Sequence, residues 1–198
     1  MSHTAQYLRE VAAVAAALDI DQIDALVAEL VRARDAAGRV FVLGVGGSAA
    51  NASHLVNDLR KLCAIEAYAP TDNVAELTAR TNDDGWAQSL VGWLEVSKLG
   101  ERDLLLVLSV GGGDAERGIS PNLVAALELG RARAARLAGI VGRDGGQTRR
   151  LAHVCVLVPS VAAERVTPHT EAFQAVLGHL LVSHPALQRS SAKWEATS

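Results

Sequence analysis

The chain has 198 residues, 49% of them hydrophobic and 21% charged, a composition that excludes disorder and fits one compact domain with a sizeable core. Its formal net charge is −3, and Lys and Arg are spread along the sequence. No basic stripe is available for a phosphodiester backbone or an anionic bilayer, so neither nucleic acid nor a membrane is an expected partner.

The first residues, MSHTAQYLRE, lack a basic segment followed by an apolar one. The longer apolar runs break well short of the roughly 18–20 residues of a spanning helix. Cys63 and Cys155 stand far apart without CxxC spacing, which supports neither a disulfide framework nor a cysteine zinc site. A reduced, cytoplasmic protein is expected.

Leu8, Val11, Val14 and Leu18 recur at helical spacing, and Ile23, Leu26, Val27, Leu30 and Val31 form a second series that stops at Gly38. Residues 1–38 are therefore expected to form a helical hairpin. The period then changes. The apolar run Val40–Leu43 stops at Gly44-Val45-Gly46-Gly47-Ser48, and a helix is expected from Ala49 to about Leu62. Ile65–Ala69 reads as a weaker strand, followed by strands at Leu104–Leu108, Leu137–Val141 and Val154–Val158. Helical stretches lie among them at Trp86–Lys98, Pro121–Arg133 and Glu171–Val182. Short, wholly apolar strands alternating with helices predict an α/β fold, a five-stranded parallel sheet over 39–185 covered by helices on both faces. The tail 186–198 is polar apart from Leu187 and Trp194 and is expected to fray or to pack on a neighbouring subunit.

In an open parallel sheet, ligands sit beyond the carboxyl ends of the strands, where glycines admit the ligand to the backbone and helix N-termini attract anions. Two turns qualify, Gly44–Ser48 and Ser109–Gly113. Read on to Ala49, the first matches GxGxxA, but its ribose-binding acid would be Glu66, which falls inside a strand rather than at its end. Phosphate binding ranks above dinucleotide binding. Ser48 is placed to offer a hydroxyl and an N–H, and Ser120 before Pro121 reads as a helix N-cap with a second possible use as a phosphate contact.

Four segments together resemble the sugar isomerase (SIS) domain, and within it the phosphoheptose isomerases, over nearly the whole chain. They are Phe41–Ser48, Thr81-Asn82-Asp83-Asp84-Gly85, Asp103–Ser109 and Ile140-Val141-Gly142-Arg143-Asp144-Gly145-Gly146. The resemblance implies a SIS-type, flavodoxin-like sheet and a sugar phosphate ligand held by Gly46, Gly47, Ser48, Asn82, Asp83, Ser109, Gly111, Gly112 and Ser120. This chain departs from the family where Val45 replaces an asparagine in the first turn. In the second turn a serine-rich Ser-Thr-Ser-Gly-Asn-Ser becomes Ser109-Val110-Gly111-Gly112-Gly113-Asp114, with an insertion before Ser120. Glycine amides can replace hydroxyl donors in an anion nest, whereas Asp114 opposes a phosphate unless it points away.

His54 and Asp58 lie four apart on one helix, within about 40° of each other, so they can share a ligand. Glu171 and His179 lie eight apart on the last helix, about 80° in projection and two turns along the axis. By resemblance these four match a His-x-x-x-Glu pair and a Gln and His eight apart that converge on the family's active site and hold zinc in some members, with Asp in place of Glu and Glu in place of Gln. All four side chains are capable of ligating zinc or another divalent metal. His153, His169 and His184 have no such match and read as strand-start, loop and helix-end residues. Trp86 and Trp93 read as a packing stripe or a subunit contact.

The resulting expectation is an aldose–ketose isomerase, which the resemblance makes one that converts sedoheptulose 7-phosphate into glycero-manno-heptose 7-phosphate. His179 and Asp58 are its proton-transferring pair, because histidine is the side chain that titrates near neutrality. The rivals are an isomerase for a different sugar phosphate and a non-catalytic phosphosugar-binding protein; regulatory members of the superfamily usually carry a DNA-binding domain, for which residues 1–38 are too short and insufficiently basic. The apolar hairpin implies a homo-oligomer, by resemblance a tetramer.

Overall fold

The computed structural model describes residues 2–193 and Glu195; Trp194 lies outside the described residues. Five parallel strands form one sheet: β1 (Val40–Leu43), β2 (Ala67–Tyr68), β3 (Leu104–Ser109), β4 (Arg136–Val141) and β5 (Val154–Leu157), in the order β2-β1-β3-β4-β5. The helices are α1 (His3–Ala16), α2 (Ile20–Asp35), α3 (Gly47–Cys63), α4 (Val74–Asp83), α5 (Val91–Val96), α6 (Pro121–Ala132), α7 (Gly146–Leu151) and α8 (Val166–Ser183).

Alternate strand residues sort onto opposite faces. Val40, Val42, Leu104, Leu106 and Leu108 pack into one core with α2, α3 and α8. Phe41, Leu43, Leu105 and Val107 pack into the other with α5 and α6. The chain runs from β1 outward to β2 and then back past β1 to β3, so the carboxyl ends of β1 and β3 diverge into a crevice. No helix among the described residues is long and apolar enough to cross a membrane.

Several elements differ from the sequence expectation. The Trp86–Lys98 helix is interrupted: residues 86–88 form a 3₁₀ turn and α5 starts only at Val91. Trp86 and Trp93 therefore share no helix, and Trp93 instead stands edge-on to Phe41 with ring centroids 5.6 Å apart. Helix α4, not expected, starts at an Asn73 cap that accepts from the Glu76 amide. It has no buried residue, so it carries no apolar stripe to betray it. The short helix α7 also went unexpected.

Helix α8 begins five residues before Glu171 because Pro168 lies in its first turn, where an N–H has no intrahelical partner to lose. His169 is thus helical rather than in a loop. Nor does the tail fray at once: Leu187 is fully buried, and the Arg189 and Ser190 amides donate to the Leu62 carbonyl.

The N-terminal hairpin is asymmetric. Six residues of α2 are buried, whereas only Val14 is buried on α1. A polar anchor fastens α1 instead. Arg165 donates to both carboxylate oxygens of Glu10 at 2.7 and 2.8 Å, and His169 Nε2 lies 2.9 Å from Glu10 Oε2. These hydrogen bonds, Arg165 first and His169 next, hold the Glu10 carboxyl down to about 2. At the β5 edge of the sheet, Gln22 of α2 reaches the edge strand, where its Oε1 accepts from the Cys155 amide.

The glycine turn after β3 is stitched to the turn after β4. The Thr148 amide and hydroxyl both donate to the Gly112 carbonyl, at 2.9 and 2.8 Å. The Gln147 amide donates to the Gly113 carbonyl at 2.8 Å. Gly112 has φ +73°, and a methyl group there would lie 2.0 Å from the Gly145 carbonyl oxygen. Gly112→Ala is therefore expected to destabilise the fold by at least about 2 kcal/mol, through both backbone strain and the broken stitch. A urea midpoint equal to that of the parent chain would refute the contact.

A carboxyl that is more acidic in the folded chain stabilises it above the unfolded pKa, and that contribution fades as pH falls through the folded value. Hydrogen-exchange protection of α1 should accordingly decline between about pH 4.5 and 2, and Glu10→Gln should lack it at neutral pH. Unchanged α1 protection across that range would sink the anchor.

Candidate functional site

Two features at the top of the sheet share helix α3. The first is a cavity of about 570 Å³ in the crevice between the β1 and β3 ends, lined by Ser48, Ser109, Gly111, Gly113 and Ser120 together with Arg117, Arg143 and Arg150. Gly46 has φ +63°, which lets β1 turn abruptly into α3 so that Ser48 sits in the first helical turn, 2% exposed. Ser109 supports the second turn from within, its Oγ accepting from the Gly112 amide at 3.0 Å. Ser120 precedes α6 in a left-handed conformation with φ 49° and makes no side-chain cap. The expected N-cap bond is absent: a capping residue needs an extended backbone, whereas Ser120, directly after a short antiparallel bridge between Asp114 and Ile119, is left-handed. Its hydroxyl is left at the cavity wall.

Asp114 also lines the cavity, but its Oδ1 accepts from the Glu116 and Arg117 amides and its Oδ2 lies 3.7 Å from Arg117 Nε. The turn itself thus engages much of its acceptor capacity.

The second feature is the seam between α3 and α8, which run side by side in the same direction. Asn51 donates to the Glu171 carbonyl at 2.9 Å and to Gln174 Oε1 at 3.0 Å. Lower down, Asp58 Oδ2 lies 3.4 Å from His54 Nε2 and 3.7 Å from His179 Nδ1. The two imidazoles meet edge-on with centroids 5.0 Å apart. A shallow groove exposes this trio, with both histidines more than half exposed and Asp58 nearly covered.

The four candidate metal ligands are not brought together. His54, Asp58 and His179 offer ligand atoms all within 4.8 Å of one another. Glu171 lies apart, two turns nearer the sheet edge, where a methyl built on Gly47 would sit 2.5 Å from its Oε2. Its carboxylate therefore borders the N-terminus of α3, a position favoured by the helix dipole. Asn82 and Asp83 end α4 on the exposed surface, bonded to each other through Asn82 Nδ2 and Asp83 Oδ1, and line neither the cavity nor the groove. The trio fits a divalent cation. Tetrahedral zinc with bonds of about 2.0–2.2 Å separates neighbouring ligand atoms by roughly 3.3–3.6 Å, and two histidines with one carboxylate leave a fourth position open.

Sequence reasoning did not single out Asn51 and Gln174. Because the Glu171 carbonyl can only accept, Asn51 must present its amide nitrogen to it and to Gln174, which turns Gln174 Nε2 away. That nitrogen is buried with no hydrogen-bond partner among the described residues. Asn51 lies three residues before His54 and seven before Asp58, so the helical face of the expected pair carried the signal for it. Arg117, Arg143 and Arg150 were also missed as cavity residues; only the basic side chain within the glycine-rich turn at 142–146 hinted at them.

The SIS domain family model matches residues 6–142. A phosphoheptose isomerase from Pelobacter propionicus is 33% identical over 165 residues, covering 80% of this chain and 78% of that protein. A lincomycin biosynthesis protein from Streptomyces lincolnensis is 32% identical over 160 residues, and the match covers 75% of this chain but 56% of that protein. Among solved structures, a phosphoheptose isomerase from Neisseria gonorrhoeae superposes with a TM-score of 0.78 at 22% identity, covering 91% of this chain and 93% of that one, a likeness of fold. With the sheet order, the cavity at its switch point and a family match across more than half its length, the chain belongs to the SIS domain family.

Proposed function

We propose that the protein is an aldose–ketose isomerase of phosphorylated sugars, with sedoheptulose 7-phosphate as substrate and glycero-manno-heptose 7-phosphate as product. The observation that carries this reading is that one helix, α3, supplies both a serine to the arginine-lined cavity at the strand ends and a histidine–aspartate pair to an acid/base cluster. From Ser48 to His54 and Asp58 the helix advances about 9 and 15 Å, a span comparable to an extended seven-carbon sugar phosphate. The phosphoheptose isomerases at 33% identity support the same reaction class.

In this reading the cavity holds the phosphate and the open-chain sugar lies along the α3–α8 seam. His179 presents Nδ1 to Asp58, which leaves Nε2 to take a proton from the carbon beside the carbonyl and return it to the neighbouring carbon. Asp58 orients the imidazole and serves the oxygen-bound proton. Asp58 is one methylene shorter than the family's glutamate, which draws its carboxylate back towards α3. His54 and Asp58, joined by His179 whenever its imidazole lone pair is not engaged as the base, would hold a divalent ion, zinc by resemblance, whose chemistry is to polarise the carbonyl. Exposed Leu8, Val176 and Leu180 support assembly into a homotetramer with copies of the same chain.

His179→Gln should leave the fold intact while turnover of sedoheptulose 7-phosphate falls by about 10²–10⁴-fold. Wild-type turnover in that variant would remove His179 from the chemistry. Tight binding of the ketose phosphate without any turnover by the parent chain would establish a binding protein instead.

Metal capture has a separate readout. Cobalt(II) added to the protein should give the visible absorption of a tetrahedral site, and His54→Ala should weaken uptake by more than the about 10–100-fold cost of losing an outer-shell partner. Equal cobalt binding by both proteins would dissociate the trio from metal.

A further inference from the structure

The cavity wall carries as many guanidinium groups, Arg117, Arg143 and Arg150, as hydroxyls, Ser48, Ser109 and Ser120, and only the guanidiniums bring full positive charge. Ser109 Oγ already accepts from the Gly112 amide. The amides at residues 146–148, which open α7, donate to Asp144, Gly113 and Gly112, so these three are not available to a ligand. The start of α3 carries the Glu171 carboxylate beside Gly47, which repels a second anion approaching from the α8 side. Beside the Ser48 and Ser120 hydroxyls, the charged donors at the cavity are arginine side chains. Three of them, Arg117, Arg143 and Arg150, line the cavity against the carboxylates of Asp114 and Asp144, each of which accepts backbone N–H bonds in its own turn.

Arg143 stands out. Its backbone is left-handed at φ 51°, an uncommon conformation for a residue with a side chain and one that collects at functional positions. Its side chain packs close to Gly111 and has no ion pair or hydrogen bond among the described residues. Arg150 contacts only a neutral partner, through Nε to Gln147 Oε1 at 2.9 Å.

We propose that Arg143 and Arg150 are the specificity-determining contacts for the phosphate group, seating it on the β4–α7 side of the cavity, with Arg117 of the insertion closing the opposite wall. This rests on the sugar phosphate reading above. A planar guanidinium matches phosphate oxygens two at a time and keeps its charge at every physiological pH. The glycine substitutions in the second turn are thereby offset: hydroxyl donors are lost, and full charges approach through the space that small residues leave open.

The test uses inorganic phosphate as the probe, measured by calorimetry at low salt, beside steady-state kinetics on sedoheptulose 7-phosphate. Arg143→Gln and Arg150→Gln should each weaken phosphate binding about tenfold. Arg143→Lys, which keeps a charge but loses the fork, should fall between. Both glutamine variants should raise KM with kcat nearly unchanged, the signature of a lost binding contact rather than a damaged fold. Binding should weaken with added salt more steeply in the parent chain than in the variants. The control Arg131→Gln, on the exposed surface of α6, should match the parent in every measurement.

Phosphate affinity and KM that stay within about twofold in both glutamine variants would overturn the proposal, as would a parent chain that binds no phosphate. If phosphate binds with the expected arginine dependence but no isomerisation occurs, the anion seat stands and the isomerase reading falls.

Discussion

The site depends first on how α3 and α8 lie together. They descend from the same edge of the sheet, side by side, and meet at Gly47 with Glu171, at Asn51 with Gln174, at Asp58 with His179, and at Cys63 Sγ with the Val182 carbonyl at 3.6 Å. The first of these contacts sets the register, because only a residue without a side chain lets the Glu171 carboxylate come so near the start of α3. Once the tops of the helices are fixed, the 1.5 Å rise per residue carries both down in step. Residues further along are thereby brought face to face, where Asp58 meets His54 and His179 and the two imidazoles stand edge-on. The acid/base trio is placed by the packing above it and by its own contacts.

This arrangement also separates tasks electrostatically. The sheet edge gathers arginines and glycine turns, while the seam gathers imidazoles and a carboxylate. Glu171 stands between the two regions. A glutamine there would be neutral; the glutamate puts negative charge on the positive end of the α3 dipole, and an anionic ligand must find its attraction elsewhere. The arginines around the second turn supply it.

Where a sequence signal was periodic and buried, it was legible. Strand β1 begins and ends where its apolar run does, and the four-residue spacing of His54 and Asp58 on a helix translates directly into proximity. Glu171 shows the limit of the same reasoning. Eight residues place it on roughly the right side of α8, yet the distance along the axis leaves it beside a different neighbour. Exposed α4 had no apolar face to announce it, and α8 starts before Glu171 because the first turn of a helix tolerates Pro168. Ser120 had the sequence of a cap, but it follows directly on the Asp114–Ile119 bridge and its backbone is left-handed. The Leu187 contact with the core depends on where α8 ends in space, which local composition does not encode.

The reach of Gln22 to the Cys155 amide has a consequence beyond the site. A sheet with open edges exposes unpaired backbone groups to any other extended chain, and natural proteins protect such edges. Here β2 is only two residues long, too short to template a partner strand. At the opposite edge, the side chain from α2 occupies a donor of β5 that an incoming strand would need. The N-terminal hairpin therefore does more than cover apolar residues: it occupies a backbone donor on β5 that intermolecular strand pairing at that edge would use.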